Sequence, residues 1–389
     1  MKKRLVLVGG GHSHALVLKY WGQTPLSTVD LTLVSDVKET PYSGMLPGHV
    51  AGFYSHRESH IDLLPLARGA GAQFIHARAI AIDPVSKVLL TDPQGEIEFD
   101  YLSLDIGSTP YLGDIEGAEY GMAAKPVAQF LQQWQALLDQ IQTASPQSLT
   151  LAIAGGGAGG VELAFNLQAR LQRQFPNLSL TLQLWQRGSQ LLPSHSDWAR
   201  RKVMALLTER QIQIFLNQTV TAIALDSNPT DFPRYQLHTA TGEVQAVNAV
   251  FLLTQASAPD WLHQSGLRTD DRGFVLVDQT LRSLSHPHIF AAGDIATMQP
   301  NPCPKAGVFA VRQGRPLFKN LQRVLTGRSP SPIQLPARYL SVIGTGDQRA
   351  LALWGQGGCY GRSAWWLKDW IDRRFMKRLG EQSLFYSRS

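Results

Sequence analysis

The sequence is poor in cysteine, in charged residues and in long apolar runs. Its 389 residues include two cysteines, Cys303 and Cys359. Two thiols cannot build a disulfide framework or a four-ligand zinc site, so a reducing, cytoplasmic setting is predicted. Charged residues make up 17% of the chain, against about 25% in typical globular proteins, which favours a buried parallel-sheet protein over a disordered one. No apolar run reaches the roughly 18 residues of a membrane span, so any membrane contact should be peripheral.

One pattern occurs twice: an apolar β-rich run, a glycine loop and then helical periodicity. Leu5–Val8 leads into Gly9-Gly10-Gly11, and Leu149–Ala154 leads into Gly155-Gly156-Gly157. Apolar strands that run straight into a loop and a helix indicate a parallel sheet covered on both faces. Each copy continues with a second strand and ends with an apolar strand before a proline. These four strands are Leu31–Ser35 and Tyr101–Leu104 in the first copy, and Leu180–Trp185 and Val250–Leu253 in the second.

Other segments complete the predicted organisation. A hairpin is predicted from Ser86–Leu90 and Glu96–Phe99, a further strand at His288–Ala292, a helix from about Lys305 and a proline-rich linker at Ser329–Pro336. We therefore predict an α/β fold with two Rossmann-like dinucleotide-binding domains, β-hairpin or meander insertions and a C-terminal α+β segment. The predicted boundaries are 1–115 with 268–330 for the first domain, 116–267 for the second and 331–389 for the C-terminal segment.

The glycine spacing predicts dinucleotide binding. A first glycine permits the tight turn, a second permits close approach of the pyrophosphate, and a third permits close packing of helix on strand. Gly155, Gly157 and Gly160 satisfy all three requirements, whereas His14 stands at the third position of the first loop. A lone glycine-rich hairpin is the alternative interpretation, but two such loops in matched contexts favour two nucleotide sites.

The motifs resemble those of the flavoproteins with two dinucleotide folds, and among them the type II NADH dehydrogenases. The motifs GGGHSH, PYSGMLPG and KAGVFAVRQG are similar to those of a branch of this family that is often fused to selenide, water dikinase. The resemblance covers nearly the whole chain and rests on LVLVGGGHSHA, TPYSGMLPG, YLSLDIGSTP, IAGGGAGGVELA, IFAAGDIATM and PKAGVFAVRQG.

The resemblance implies that the first unit binds FAD. An acidic residue usually ends the second strand and holds the adenosine ribose, and we assign this role to Asp36. Asp294 would hold the ribityl chain, with a simple helix cap as its alternative role. The full set of residues that we assign to FAD is Gly9, Gly10, Gly11, His12, Ser13, Asp36, Tyr42, Ser43, Gly107, Ser108, Gly293, Asp294, Lys305, Ala306 and Gly307.

The helix near Lys305 is implied to point its N-terminus, with the lysine ammonium, at the flavin N1–C2 edge. A positive end there would favour the reduced flavin; an ordinary solvated lysine is the alternative. Type II dehydrogenases often carry a glutamine inside this helix, near the flavin and quinone, where this chain has Val308.

The second unit is implied to bind NAD(P)H through Gly155, Gly157 and Gly160. A glutamate usually ends its second strand, but here Gln186 and Arg187 stand at that point. The missing carboxylate and the adjacent arginine together favour the 2′-phosphate of NADPH. The alternative is that Arg187 is merely a surface residue. Glu162 is predicted to be a dipole-favoured glutamate of the first helical turn or a proton relay near the flavin, so we list Lys305 and Glu162 as candidate catalytic residues.

Redox-active cysteines and metals are not expected. The chain has no CxxC or CxxxxC pair, which the disulfide reductases of this fold need, and a lone Cys303 is interpreted as structural. His12 and His14 lack a nearby carboxylate or cysteine partner, so we predict no metal site.

The C-terminal segment Arg362–Arg378 carries six Lys or Arg and two Asp, which accounts for most of the net charge of +6. At helical spacing, one broad apolar arc is formed by Trp366, Leu367, Trp370, Ile371 and Phe375. This arc suggests an interfacial helix on an anionic membrane. The alternatives are packing on its own FAD domain or on a second copy of the chain. No nucleic-acid partner is expected.

These features favour an enzyme that passes electrons from NAD(P)H through FAD to a quinone-like acceptor. One alternative is a soluble reductase linked to selenium metabolism. The other is a non-enzymatic redox sensor that binds flavin and nucleotide.

Overall fold

The computed structural model describes residues 1–226, 232–336 and 338–385. Its architecture is α/β, with two parallel sheets flanked by helices. The helices are α1 (His12–Gln23), α2 (Leu46–Val50), α3 (His56–Ser59), α4 (Leu63–Gly69), α5 (Val127–Ala144), α6 (Ala158–Gln174), α7 (Asp197–Glu209), α8 (Trp261–Gln264), α9 (Gly307–Leu325) and α10 (Arg362–Phe385).

The strands are short, as expected for a chain rich in turn residues. Those of the first third are β1 (Lys3–Val8), β2 (Val29–Ser35), β3 (Glu39–Pro41), β4 (His60–Asp62), β5 (Gln73–His76), β6 (Arg78–Asp83), β7 (Val88–Asp92), β8 (Gly95–Glu98), β9 (Tyr101–Leu104) and β10 (Thr109–Pro110). The later ones are β11 (Met122–Ala123), β12 (Ser148–Ala154), β13 (Ser179–Gln186), β14 (Gln213–Leu216), β15 (Val220–Leu225), β16 (Tyr235–Thr239), β17 (Val244–Val247), β18 (Ala249–Leu252), β19 (Ala256–Ser257), β20 (Val275–Val277), β21 (Ile289–Ala291), β22 (Ala296–Met298), β23 (Ser341–Gly344), β24 (Ala350–Trp354) and β25 (Gly357–Gly361).

The first sheet has the strand order β21-β9-β1-β2-β5, and all its pairings are parallel. In the register, Val8 lies opposite both Val34 and Leu104, so the carboxyl ends of β1, β2 and β9 share one edge. Leu5, Leu7 and Leu33 are fully buried, because helices cover both faces. This confirms the predicted parallel sheet.

The second sheet repeats this arrangement in the order β11-β18-β12-β13-β14, again with parallel pairs. Its own core contains Leu151, Ile153, Leu184 and Phe251. Two cores built on the same pattern account for the repeat in the sequence, because each strand and glycine loop needs its own helix to cover the sheet.

Antiparallel strands are inserted in both copies. The strands β6, β7 and β8 form a meander in the first copy, and β15, β16 and β17 form one in the second. The predicted hairpin at Ser86–Leu90 and Glu96–Phe99 is present as β7 and β8, with both strands shifted by one or two residues. The turn residues Pro93 and Gln94 lie between them.

The first unit is discontinuous along the chain. Strand β21 joins β9 in the first sheet, and α9 packs along α1. The C-terminal strands β23, β24 and β25 form a small antiparallel sheet, and α10 packs on β24, α4 and α1. The domain boundaries given above stay predictions.

No helix among the described residues has the length and apolarity needed to cross a membrane.

Candidate functional site

In both parallel sheets the chain adds strands first on one side of a central strand and then on the other, and this switch creates a crevice at the carboxyl edge. In the first sheet the chain runs from β1 outward to β2 and β5, and then returns on the other side of β1 as β9 and β21. The second sheet does the same around β12, with β18 on the other side. Ligands of open α/β sheets bind at the carboxyl edge beside such a switch point. The two glycine loops lie at these two edges.

Backbone geometry explains the first glycine of each loop. Gly9 has φ +90° and Gly155 has φ +131°, a region that L residues avoid. A Cβ at Gly9 would collide with the carbonyl of Asp105, and one at Gly155 with the carbonyl of Leu253. Each loop therefore passes directly against the strand on the other side of the crevice.

The third position differs between the loops, as the sequence indicated. At Gly160 a Cβ would collide with the Gly155 carbonyl, so a hydrogen atom is required there. At the equivalent His14, the imidazole lies near the Gly9 carbonyl (Nδ1 to O, 2.7 Å) and the Ser103 hydroxyl (Nε2 to Oγ, 2.8 Å). Burial lowers the pKa of His14 to about 4, so the ring is neutral. A hydrogen bond to the first glycine thus replaces close packing.

Asp105 is a site residue that the sequence analysis missed. Its carboxylate accepts a hydrogen bond from the backbone N–H of His14 (2.9 Å), at the N-terminal end of α1. A Cβ on Gly11 or Gly293 would collide with this carboxylate. Burial raises the pKa of Asp105 to about 7, with a further contribution from Asp294. The signal in the sequence is an acid directly after the buried strand YLSL.

Lys125 is a second missed residue and joins two predicted ones. Its ammonium donates to Asp294 Oδ2 (2.7 Å) and to Ser108 Oγ (2.6 Å). The Asp294 side chain is 17% exposed and that of Lys125 is 36% exposed, so the carboxylate is the more shielded partner of this ion pair. Gly293 lies beside it at φ +69° and donates its N–H to Gln313 Oε1 (2.6 Å). Nothing in the local sequence marks Lys125, because its partners come from two distant loops.

Lys305 is half-buried, which does not match the solvated alternative. Its ammonium donates to the Ala296 carbonyl (2.6 Å) and to Thr297 Oγ1 (3.0 Å), and lies 3.9 Å from the centre of the Phe274 ring. Burial lowers the pKa of Lys305 to about 8. The lysine therefore supports strand β22, while Ala306 is the N-cap of α9 without a side-chain cap and Gly307 begins the helix.

Tyr42, Ser43 and His12 lie together next to the start of α9. The Ser43 N–H points to His12 Nε2 (3.3 Å), and a Cβ on Gly307 would collide with the Ser43 hydroxyl. Tyr42 stacks on Phe375 of α10, with ring centres 4.6 Å apart. Loop 42–44 thus joins the first glycine loop to both α9 and the C-terminal helix.

Not every predicted FAD residue presents its side chain to the crevice. The Ser13 hydroxyl donates to the Ala310 carbonyl (2.7 Å), which ties α1 to α9. Asp36 is exposed directly after β2, where a ribose-binding acid is expected. Gly107 has φ +74°, and a Cβ there would meet open space. Gly10 is packed against Leu63 and Thr40.

At the second edge, Gln186 is already engaged. Its Oε1 accepts from the Gly156 N–H (3.0 Å) and its Nε2 donates to the Gln190 carbonyl (3.3 Å). Arg187 is exposed beside it. Gly157 is the N-cap of α6 with no side-chain cap, and a Cβ there would meet open space. Within the part of the chain that the structure describes, the Thr254 hydroxyl, just beyond β18, is buried without a hydrogen-bond partner. A bound ligand could supply that partner.

Glu162 belongs to a buried charge cluster with two residues of α10. Its Oε1 accepts from the Gly344 N–H (2.8 Å), and burial raises the pKa of Glu162 to about 7. Lys368 donates to Asp372 (2.7 Å) and to the Gly44 carbonyl; their side chains are 12% and 6% exposed. The Lys368 charge counteracts the raised pKa of Glu162. The carboxyl of Glu162 is thus buried, and the residue lies beyond the first turn of α6, which contains no acidic residue. Its roles as a dipole-favoured glutamate or a proton relay stay predictions.

The outer face of α10 is apolar. Trp366 is 64% exposed and Trp370 57% exposed, next to exposed Leu367 and Ile371. Phe375, which was predicted on the same arc, is instead buried against Tyr42. The helix therefore packs on the first unit by one side and presents tryptophans to solvent by another.

Comparison with protein families identifies the family of the chain. Residues 3–314 match the model of the pyridine nucleotide-disulphide oxidoreductase family. The chain belongs to this family. The two cysteines of this chain do not form a disulfide with each other. Both are free thiols; Cys303 is half-buried and Cys359 is exposed. Within the described ranges, no group of three or more His, Cys, Asp or Glu side chains is arranged to hold a metal ion.

Several members of the family are similar in sequence. The chain is 29% identical over 327 residues to the alternative NAD(P)H-ubiquinone oxidoreductase C1 of Arabidopsis thaliana, with 77% of this chain and 62% of that protein covered. It therefore spans less than two thirds of that relative. It is 26% identical over 354 residues to a demethylphylloquinone reductase of a Synechocystis strain, with 87% of this chain and 82% of that protein covered.

Solved structures of the family share the fold. The structure of NDH2 from Plasmodium falciparum in complex with NADH superposes with a TM-score of 0.79 at 14% identity, and the match covers 100% of this chain and 99% of that chain. At this identity the likeness establishes the fold of the chain alone.

Proposed function

We propose that this protein is an FAD-dependent oxidoreductase that takes a hydride from NAD(P)H and passes electrons to a quinone. The observation that carries the proposal is the pair of glycine loops at the switch points of two parallel sheets. One chain with two such sites can hold a donor nucleotide and a redox cofactor in one molecule. The absence of a cysteine pair from the sequence separates the chain from disulfide-reducing relatives.

The first edge suits FAD by its own residues. The N-terminus of α1, where the Asp105 carboxyl already accepts from the His14 N–H, would direct the positive end of its dipole at a pyrophosphate beside the first glycine loop. Asp105, whose pKa is about 7, can stay protonated there and so avoid repulsion of phosphate. Lys125 neutralises Asp294, which keeps that carboxylate in place to accept from a ribityl hydroxyl.

Bound FAD would accept the hydride and would then release electrons to the acceptor. The protein would supply orientation and electrostatics. The N-terminal end of α9 places a partial positive charge next to loop 42–44. Glu162, buried with a pKa of about 7, can give or take a proton at its carboxyl oxygens under ordinary conditions.

NADPH is the favoured donor. Gln186 has both amide atoms engaged and carries no charge, so no carboxylate opposes a 2′-phosphate at this position. The exposed Arg187 next to it can pair with such a phosphate.

A quinone is the favoured acceptor because relatives named as quinone reductases match 77% and 87% of this chain. The chain has Val308 at the helix position where type II dehydrogenases often carry a glutamine. An apolar side chain at this point leaves quinone recognition to other residues. The motifs GGGHSH, PYSGMLPG and KAGVFAVRQG support the assignment of this chain to the branch of the family that is often fused to selenide, water dikinase.

Peripheral attachment to the cytoplasmic face of a membrane is the favoured location. The exposed Trp366, Leu367, Trp370 and Ile371 on α10 form an apolar strip, and Arg374 lies over the Trp370 ring. Tryptophan and arginine together suit an anionic lipid interface. A homodimer through the same strip is the alternative arrangement.

The decisive experiment is quinone-dependent oxidation of NADPH and NADH by purified protein loaded with FAD. We expect a yellow protein whose flavin absorbance bleaches with nucleotide and recovers when a soluble quinone is added. A preparation that takes up no FAD would overturn the whole proposal. Bleaching without quinone-dependent recovery would retain the donor half and reject the acceptor.

A further inference from the structure

Helix α10 holds loop 42–44 from one side. The Tyr42 ring stacks on Phe375, with ring centres 4.6 Å apart and an angle of 28° between the ring planes. Both residues are 8% exposed. Burial raises the pKa of the Tyr42 hydroxyl, and Asp372 raises it further through its charge and a hydrogen bond. The ring and the hydroxyl of Tyr42 are therefore both engaged by α10.

The close fit against α10 extends to Gly44. A Cβ at this position would lie 2.7 Å from Asp372 Oδ1 and 2.8 Å from two atoms of the Tyr42 ring. Both distances are too short for a real contact of a carbon atom, because protein interiors are close-packed. Lys368 of α10 donates to the Gly44 carbonyl. The backbone of the loop thus lies directly against the helix, with no room for a side chain at position 44.

Ser43 connects this arrangement to the proposed FAD site, because its two neighbours in the chain are the residues that α10 holds. The Ser43 N–H points to His12 Nε2 (3.3 Å), and a Cβ on Gly307 would collide with the Ser43 hydroxyl. Burial lowers the pKa of His12 to about 4, so the ring is neutral. The charges of Asp294 and Lys125 act on this pKa in opposite directions, which places His12 near that ion pair.

The loop itself lies between regular elements, since β3 ends at Pro41 and α2 begins at Leu46. The Tyr42 N–H donates to the Ser59 carbonyl (2.8 Å), which anchors the start of the loop. Ordering an irregular segment costs conformational entropy, so contacts from outside the segment must offset that cost. Helix α10 supplies such contacts to the Tyr42 ring, to its hydroxyl and to the Gly44 carbonyl.

We propose that α10 holds Ser43 in place at the FAD site, so that Tyr42 is a positioning residue and not a direct ligand of FAD. This inference rests on the proposed binding of FAD. Phe375 and Asp372 act on the cofactor through Tyr42, and loss of either contact lets Ser43 move away from the start of α9. The FAD is then bound less tightly and is more exposed to water.

The test measures two properties of the full-length protein, the Kd for FAD and the quenching of bound flavin by iodide. In Phe375→Ala the stacking partner of Tyr42 is lost, so we expect the Kd to rise about tenfold and the quenching to increase. The control is Phe318→Ala, which removes a buried ring that packs on Trp21. Phe318 lies about 16 Å along α9 from its first residue. This control should lower the melting temperature to a similar extent but leave the Kd and the quenching unchanged.

A second variant perturbs the same contact without a cavity at position 375. In Gly44→Ala the new Cβ must displace Asp372 or the Tyr42 ring, so we expect the same rise in Kd and in quenching. Gly113→Ala is the matched control, because a Cβ there makes ordinary contacts at 3.7 Å or more.

The outcomes separate positioning from direct binding. An unchanged Kd in Gly44→Ala, or in a folded Phe375→Ala, would overturn the proposal. A raised Kd in Tyr42→Phe with native values in both of those variants would instead make Tyr42 a direct ligand of FAD. Failure of the native chain to take up FAD would reject the proposed function as well, whereas normal uptake with unaffected variants would reject this inference alone.

Discussion

At the first edge, the negative charges of two acidic residues are each compensated. Asp105 and Asp294 are two acids at the proposed FAD site, and their charges are reduced in different ways. Burial keeps Asp105 protonated up to a pH of about 7, whereas Asp294 has the Lys125 ammonium at 2.7 Å. Each arrangement removes a negative charge from the neighbourhood of the proposed FAD site.

Replacing Lys125 should weaken the hold on FAD. In Lys125→Met the Asp294 carboxylate stays mostly buried without a cationic partner, so we expect the Kd for FAD to rise about tenfold. The measurement is flavin fluorescence during titration of FAD into flavin-stripped protein. Lys319→Met, at an exposed lysine of α9, should leave the Kd unchanged. An unchanged Kd in Lys125→Met would remove this lysine from the site.

Asp105 predicts a pH effect on stability. The folded chain keeps the Asp105 proton up to about pH 7, while the unfolded chain loses it near the ordinary value of 3.8. The acid therefore costs stability increasingly as the pH rises through this window, by about 1.4 kcal/mol per pH unit at most. Asp105→Asn removes the cost, so its melting temperature relative to the native chain should rise between about pH 5 and about pH 7.5. A constant difference in thermal melts would contradict the raised pKa.

Arg187 should decide the choice of nucleotide. In Arg187→Ala we expect the KM for NADPH to rise about tenfold and the KM for NADH to change little, because only NADPH has the 2′-phosphate. Steady-state kinetics with both donors measures the ratio, with Arg201→Ala as the matched surface control. If both KM values change equally, Arg187 does not read the phosphate.

Residue roles were only partly predictable from the sequence. Gly155, Gly157 and Gly160 could be found because strand, loop and helix are contiguous. Lys125 could not, because its partners Ser108 and Asp294 lie 17 and 169 residues away. The burial of Glu162 also escaped prediction, because residues near the end of the chain cover it.

At the scale of elements, helix α10 has two opposed faces. Its inner side carries the Lys368–Asp372 pair and Phe375, and its outer side carries Trp366 and Trp370. The sequence showed an apolar arc but not which part of it faces solvent, because the helix turns Phe375 inward onto Tyr42. The count of six basic residues also led to an overestimate of the positive charge on the outer face, because Lys368 is buried.

The outer face of α10 should bind anionic membranes. We expect Trp366→Ser with Trp370→Ser to lower binding to anionic liposomes about tenfold or more, since two large aromatic surfaces are lost. Flotation of the FAD-loaded protein measures this. The control is Leu225→Ser, at a side chain that is 60% exposed on β15. Equal flotation of both variants and the native chain would exclude this face.

At the scale of the whole molecule, the two-unit architecture followed from the repeat, and the structure confirms the two parallel sheets. The contact between the units was not predictable, because it depends on pairings that no local pattern encodes. Loop 42–44 of the first unit, Glu162 of the second and α10 of the C-terminal segment meet in one buried cluster. This cluster is one of the places where the three parts are in contact, together with the packing of α2 on α6 and the pairing of β10 with β19.

The position of β21 in the first sheet has a consequence for how the protein is made. Strand β9 cannot gain its outer neighbour, and α1 cannot gain α9, until the ribosome has passed residues 291 and 325. The second unit is contiguous and can fold while the first still lacks its edge strand. Nascent chains should therefore acquire nucleotide-binding structure from the middle outward, and flavin should be captured only near the end of translation.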